Sequence, residues 1–292
     1  MKIEMLADYA CVVGEGPLYH AGENAVYWTD IDTGRLFRLD VATGAHAQIY
    51  KGDMVGGFTI QADGSLLLFM DRGAIRVFRQ GQITETIHEE IPAERESRFN
   101  DVITDPHGRV FCGTMPTGET LGRLYRLDTD GSLTVVLEGI GCSNGMGFTA
   151  DHRTFYYTDS ETREIFAFDY DVRTGSITHQ RTLITTSPND GVPDGMTVDA
   201  AGNLWTAKWG GGGVACYAPD GTFLYKLEMP VAICSSVVFG GADYSDMYIT
   251  TAGGDHKAEN GEYSGALFRV RCLELAGEPV RGVPEFVSRI GL

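Results

Sequence analysis

The chain has 292 residues, 43% hydrophobic, with 38 glycines, which suits a large core built from short strands and tight turns. Its formal charge is −17, and a surface so acidic repels phosphate backbones and anionic lipid, which argues against nucleic acid and membrane as partners. No stretch approaches the ~20 apolar residues of a membrane helix, and the N-terminal MKIEMLADYACVVGEGP lacks a basic then apolar leader. The expectation is a soluble, cytoplasmic protein.

One unit recurs along the chain. It is a strand, a turn with Gly or Asp, a second apolar strand, a break and a third strand. The first unit reads GPLYH (16–20), AVYWTD (25–30) and RLFRLD (35–40); the second reads GFTIQADG (57–64), SLLLFMD (65–71) and AIRVFR (74–79). DVITDPHG (101–108), RVFCGT (109–114) and RLYRLD (123–128) make the third, and GMGFTADH (145–152), TFYYTD (154–159) and EIFAFD (164–169) the fourth. The fifth is GMTVDAAG (195–202), NLWTAK (203–208) and GVACYA (213–218); the sixth is SVVFGGAD (236–243), DMYITT (246–251) and ALFRVR (266–271).

The matched second-strand residues Tyr27, Leu67, Val110, Phe155, Leu204 and Met247 are separated by steps of 40, 43, 45, 49 and 43. A period in the forties, with strand alternation and no long amphipathic segments, predicts propeller blades. The fold expected is all-β: one six-bladed β-propeller domain over residues 1–292. The tail GVPEFVSRIGL (282–292) is read as pairing with the first blade to close the ring.

In a propeller the first strand of each blade lies nearest the axis. The residues at the starts of these strands share one phase and face one end of the channel. They are Glu15, Asn100, Asn144 and Asp194, with Gly56 and Gly57 in the second unit and Ser235 in the sixth. Pro193, Asp194 and Gly195 read as a tight turn just ahead of the strand. Two acids and two amides without a basic partner at the same phase repel one another unless a divalent cation joins them. Oxygen ligands suit Ca²⁺, Mg²⁺, Mn²⁺ or Fe²⁺; Zn²⁺ ordinarily takes His or Cys.

Other polar residues read as structural. Asp30 and Asp159 cap second strands, Asp199 lies in a turn, and Asp101 alternates to the face opposite Asn100. Trp205 reads as core and Trp209 as rim. The seven histidines fall mostly in polar or turn-like segments, and the six cysteines include no C-x-x-C pair, so they read as reduced thiols. The segment GGDHKAENGEYSG (253–265) reads as a long polar loop. No G-x-S-x-G is present.

GEGPLY (14–19), RFNDVITDPHGRVFCGTM (98–115), SNGMGF (143–148), FYYTDS (155–160), PDGMTVDAAGNLWTA (193–207) and FGG with DMYITTA (239–252) together resemble the senescence marker protein/gluconolactonase family, which includes regucalcin and bacterial sugar lactonases. That resemblance implies a six-bladed propeller holding one divalent metal at the channel mouth, with Glu15, Asn144 and Asp194 as its ligands. It places Arg98 and Asn100 on substrate oxygens. Glu119, or Gly118 beside it, falls near an acidic residue that touches sugar hydroxyls. The family carries proline where this chain has Phe99. The activity implied is metal-dependent opening of a sugar lactone to the aldonic acid. The ion would polarise the carbonyl, and Asp194 would double as ligand and general base. The alternatives are a metal-binding regulator without turnover, a scaffold for protein partners, and an organophosphate or aryl-ester hydrolase. A monomer or weak homodimer is expected.

Overall fold

A computed structural model describes all residues, 1–292. It contains six four-stranded antiparallel sheets arranged as a six-bladed β-propeller. The innermost strands are Gly14–His20, Val55–Ile60, Phe99–Thr104, Ser143–Phe148, Val192–Val198 and Cys234–Gly240. Each begins two or three residues earlier than its sequence pattern implies. Asp194 is therefore inside a strand, and the tight turn read at Pro193–Gly195 does not form.

The second strands are buried on both faces, as at Ala25–Asp30, which explains their unbroken apolar runs. Six cores fill the six gaps between neighbouring blades. In one, Trp205, Val214 and Cys216 of the fifth blade meet Phe239, Met247 and Phe268 of the sixth. Each blade also has an outer fourth strand, such as His46–Lys51 or Ser176–Thr185, that is largely exposed. These strands carry little apolar patterning, which is why the three-strand unit omits them.

The ring closes differently from the reading of the tail. Lys2–Asp8 pairs antiparallel with Ala266–Arg271 and supplies the outer strand of the sixth blade. The tail instead crosses the floor of the channel. The Gly282 N–H donates to Tyr244 O at 2.9 Å and the Ser288 N–H to Ile60 O at 2.8 Å, tying the sixth blade to the second. Arg289 N–H donates to Gly108 O at 2.9 Å, reaching the third. With the first blade's edge positions already filled, strand-like residues at 282–292 serve as a strap.

The segment after Thr251 contains two short helical turns, Gly254–His256 and Lys257–Asn260. It is docked by Gly253 and Gly254 N–H bonds to Val12 and Cys11 carbonyls, each 2.9 Å. No two cysteines are paired. No helix is long and apolar enough to cross a membrane.

Candidate functional site

Every innermost strand slips register against its second strand at the same end. The slips fall between Glu15 and Leu18, Val55 and Gly57, Phe99 and Val102, Asn144 and Met146, Pro193 and Met196, and Cys234 and Ser236. An extra residue in a ladder bends the strand and re-aims side chains. The six bulges ring one mouth of the channel, and the sequence-predicted residues sit in them or at their edges. The strands crowd here. A Cβ on Gly145 would lie 2.6 Å from Asp194 O, and one on Gly56 would lie 1.9 Å from Phe99 O. The second blade therefore has no room for a side chain at the phase where its neighbours carry oxygen.

A hydrogen-bonded chain joins three blades, the third to the fifth, across this ring. Arg98 Nη1 donates to Asn100 Oδ1 at 2.6 Å, and Asn100 Nδ2 to Asn144 Oδ1 at 2.9 Å. Asn144 Nδ2 donates to Ser160 Oγ at 2.8 Å, and Ser160 Oγ to Pro193 O at 2.6 Å, immediately before Asp194. Donation from both amide nitrogens fixes the flips, so Asn144 turns its oxygen toward Asn100. Ser160 was not foreseen as a site residue; its signal is the serine after TFYYTD, at the mouth end of a second strand. Ser235 is committed elsewhere, since its hydroxyl donates to Gly14 O.

Glu15 and Asp194 are 8% and 4% exposed. Glu15 accepts from Gly16 N–H at 3.0 Å, and Asp194 from Gly195 N–H; neither forms an ion pair. Burial pushes both carboxyls above the ordinary range. The charge of Asp101 adds to both, and the charge of Glu15 adds further to Asp194. Arg98 offsets part of this, but burial lowers its own pKa, and Asp32 competes with both acids for its charge. These are two carboxylates out of water with too little positive charge between them, and such groups either keep a proton or take a cation. Glu15, Asp194 and the second lone pair of Asn144 Oδ1 make an all-oxygen set that fits a hard divalent ion. No three His, Cys, Asp or Glu side chains gather anywhere in the chain, so a third protein oxygen for such an ion would have to come from an amide such as Asn144.

The structure thus brings Glu15, Arg98, Asn100, Asn144 and Asp194 to one mouth. Glu119 is exposed on the loop after Thr114, and its own bond is local, from its N–H to Thr117 Oγ1 at 3.2 Å. Asp101 departs from the strand-alternation reading. The bulge between Phe99 and Val102 breaks the alternation, and Asp101 borders the central cavity, its carboxyl pushed up to about 6 by burial.

That cavity, of about 400 Å³, lies on the axis beneath the mouth. Its walls start one or two residues beyond the mouth residues, at Gly16, Asp101, Met146, Met196 and Ser236, and Val283–Phe286 of the tail form its floor. Methionine, valine and phenylalanine make much of its surface, with Asp101, Asp199, Glu285 and four threonines among them. Among the histidines, His152 alone borders it, packed edge-on against Phe286 with centroids 5.3 Å apart. Asp30, Asp159 and Asp199 accept backbone or side-chain donors as structural residues do, Trp205 is fully buried, and Trp209 is 36% exposed.

The family model described as SMP-30/Gluconolactonase/LRE-like region matches residues 13–253. Pentonolactonase XacC of Haloferax volcanii is 45% identical over 299 residues, covering 100% of both chains. Regucalcin of Gallus gallus is 31% identical over 290 residues, covering 96% of this chain and 97% of its own. The crystal structure of a calcium-binding protein, regucalcin of Agrobacterium tumefaciens, superposes with a TM-score of 0.87 at 26% identity, covering 98% of this chain and 97% of that one.

Proposed function

Because the chain belongs to the SMP-30/gluconolactonase/LRE-like family, we propose that it hydrolyses a sugar lactone to the aldonic acid at the bulged mouth of the propeller. The observation that carries this reading is the pair of buried carboxylates without ion-pair partners, Glu15 and Asp194, beside the Arg98–Asn100–Asn144 chain. Support for the substrate class comes from the relative named a pentonolactonase, and support for a cation from the neighbour titled calcium-binding.

Glu15, Asn144 and Asp194 would hold the divalent ion. When bound, it supplies Lewis acidity to the lactone carbonyl oxygen. Arg98 and Asn100 orient the sugar: the guanidinium, held by Asn100 Oδ1, presents fixed donors to ring oxygens, while Asn100, whose amide hydrogens go to Ser143 O and Asn144 Oδ1, offers its oxygen as an acceptor for a hydroxyl. Asp194 takes a proton from the attacking water. The water oxygen bonds to the carbonyl carbon, the ring C–O bond breaks, and the proton returns to the departing ring oxygen. The new carboxylic acid then ionises, so each turnover releases one proton to solvent. The Cys142 thiol, pushed up to about 12 by burial with Asp194 adding, stays protonated and is no competing nucleophile.

A pH-stat assay on pentono- and gluconolactones, with and without chelator, tests this reading. Chelator-sensitive acid release is expected. Cation binding without acid release would make the chain a metal-binding regulator, and release of acid from aryl esters or organophosphates alone would reassign the substrate.

A further inference from the structure

Lys208 is 1% exposed, and no carboxylate pairs with it. Its ammonium has three protons to place. One goes to Thr186 Oγ1 at 3.1 Å, and the ring of Tyr217 lies under the nitrogen at 5.3 Å. Nothing else in the chain accepts from it. An ammonium out of water with a single neutral acceptor is costly unless an anion reaches it. Its pKa is drawn down to about 8, chiefly by burial, with Asp190 opposing and the charges of Arg163 and Lys226 adding to the fall.

The lysine borders a cavity of about 210 Å³ between the fourth and fifth blades, away from the channel. Lys226, Asp190, Ala215, Tyr217 and Phe223 complete the walls. Asp190 reaches the cavity from the segment 186–191, which Arg163 holds by donating to Ser187 O at 2.8 Å, to Thr186 O at 3.3 Å and to Gly191 O. Arg163 is thereby committed to backbone. Lys226, paired with Glu228 at 3.1 Å on the exposed outer strand, remains at the cavity edge. Asp190 is exposed on the rim, where water screens it.

We propose that this interblade cavity is a binding site for a small aliphatic monocarboxylate, its head on Lys208 and Lys226 and its carbon tail against Tyr217, Phe223 and Ala215. The buried ammonium demands an anion, the two rings and the alanine favour a short apolar tail, and Asp190 at the rim disfavours a dianion such as phosphate. The site is separate from the channel mouth and does not depend on the lactonase reading.

The test is propionate titration at constant ionic strength, followed by melting temperature and by saturation-transfer NMR on the propionate methyl. The wild-type protein should show a saturable rise in Tm and a transfer signal, with inorganic phosphate and chloride weaker. Lys208→Met should lose propionate affinity by about tenfold or more, the loss of one charge-assisted hydrogen bond. Without ligand, this variant should be at least as stable as wild type, because an unpaired charge has left the interior. Should Lys208→Met fail to fold, Lys226→Ala and Phe223→Ala, both on the outer strand, are each expected to weaken binding several-fold. A non-saturating response, an equal response to chloride, tighter binding of phosphate, or unchanged affinity in all three variants would overturn the proposal.

Discussion

The two ends of the central channel are built from the same six strands, and their buried acids are treated in opposite ways. Toward the floor, Asp199 accepts from Ala201 and Asn203 N–H, Asn203 Nδ2 and Trp205 Nε1 at 2.8–2.9 Å. Asp105 likewise accepts from Arg109 Nε and from Tyr170 OH, the latter at 2.7 Å. At the mouth, Glu15 and Asp194 are as deeply buried, yet each has one neighbouring N–H. A satisfied carboxylate is part of the fold, whereas an unsatisfied one adds instability unless something from outside completes it. On the proposed function, this difference separates the acids that hold the fold from those that would hold the cation.

The largest expected effect comes from making the same change at both ends. Asp194→Asn should lower kcat by roughly 10²–10⁴-fold, the range for loss of a positioned base. It should also leave the metal-free fold as stable or more so, since a repelled charge is gone. Asp199→Asn should do the reverse, costing about 2–4 kcal/mol of stability through its lost charge-assisted bonds while the folded fraction turns over normally. Steady-state kinetics beside denaturant melts of both variants decide it. A destabilised Asp194→Asn with unchanged kcat would erase the contrast.

Cation removal comes next. An ion bound at 100 times its Kd stabilises the folded chain by about 2.7 kcal/mol. Exhaustive chelation should therefore lower Tm and abolish acid release together, and Ca²⁺ or Mn²⁺ should restore both. Glu15→Gln should blunt the Tm response to added ion; an undiminished response would place the ion elsewhere.

The sequence carried the second and third strands almost to the residue, because burial on both faces writes itself as continuous apolar runs such as AVYWTD and TFYYTD. It carried the phase of Glu15, Asn100, Asn144 and Asp194 through the repeat. The bulges were not legible. A glycine beside a polar residue reads as a turn by local propensity, and only the crowding of six strands round one axis turns Pro193–Gly195 into part of a ladder. The same bulges overturned the alternation argument for Asp101. Outer strands were lost because exposed ladders need no apolar period. The closure was misassigned because the tail and Lys2–Asp8 both look like strands, and which of them meets Ala266–Arg271 is set by geometry far away in sequence.

At the floor, the tail brings one acid into the cavity that breaks the local rule of satisfied carboxylates. Burial, with the charge of Asp101 adding, pushes Glu285 from 4.5 up to about 7. A carboxyl whose folded pKa is raised contributes stability that is complete below its unfolded value and lost as pH rises through the folded value. The wild-type chain should therefore lose stability between pH 4.5 and about 7, by about 2 kcal/mol once partial exposure is allowed for. Glu285→Gln should flatten this stretch of the pH–stability curve without altering kcat. A curve that keeps its slope in the variant would assign the loss to the mouth acids instead.

The smallest effect sharpens the boundary of the mouth. Glu119 is exposed, and its N–H bonds only within its own loop. A side chain that must leave water to meet a sugar hydroxyl gains little, and a solvent-exposed hydrogen bond contributes about 0.5–1.5 kcal/mol. Glu119→Gln should raise KM for a pentonolactone by roughly two- to tenfold while kcat stays put, because the contact would be made equally in ground and transition states. A fall in kcat matching that of Asp194→Asn would mean that the loop closes onto the reacting atoms, and the mouth would then extend to the rim.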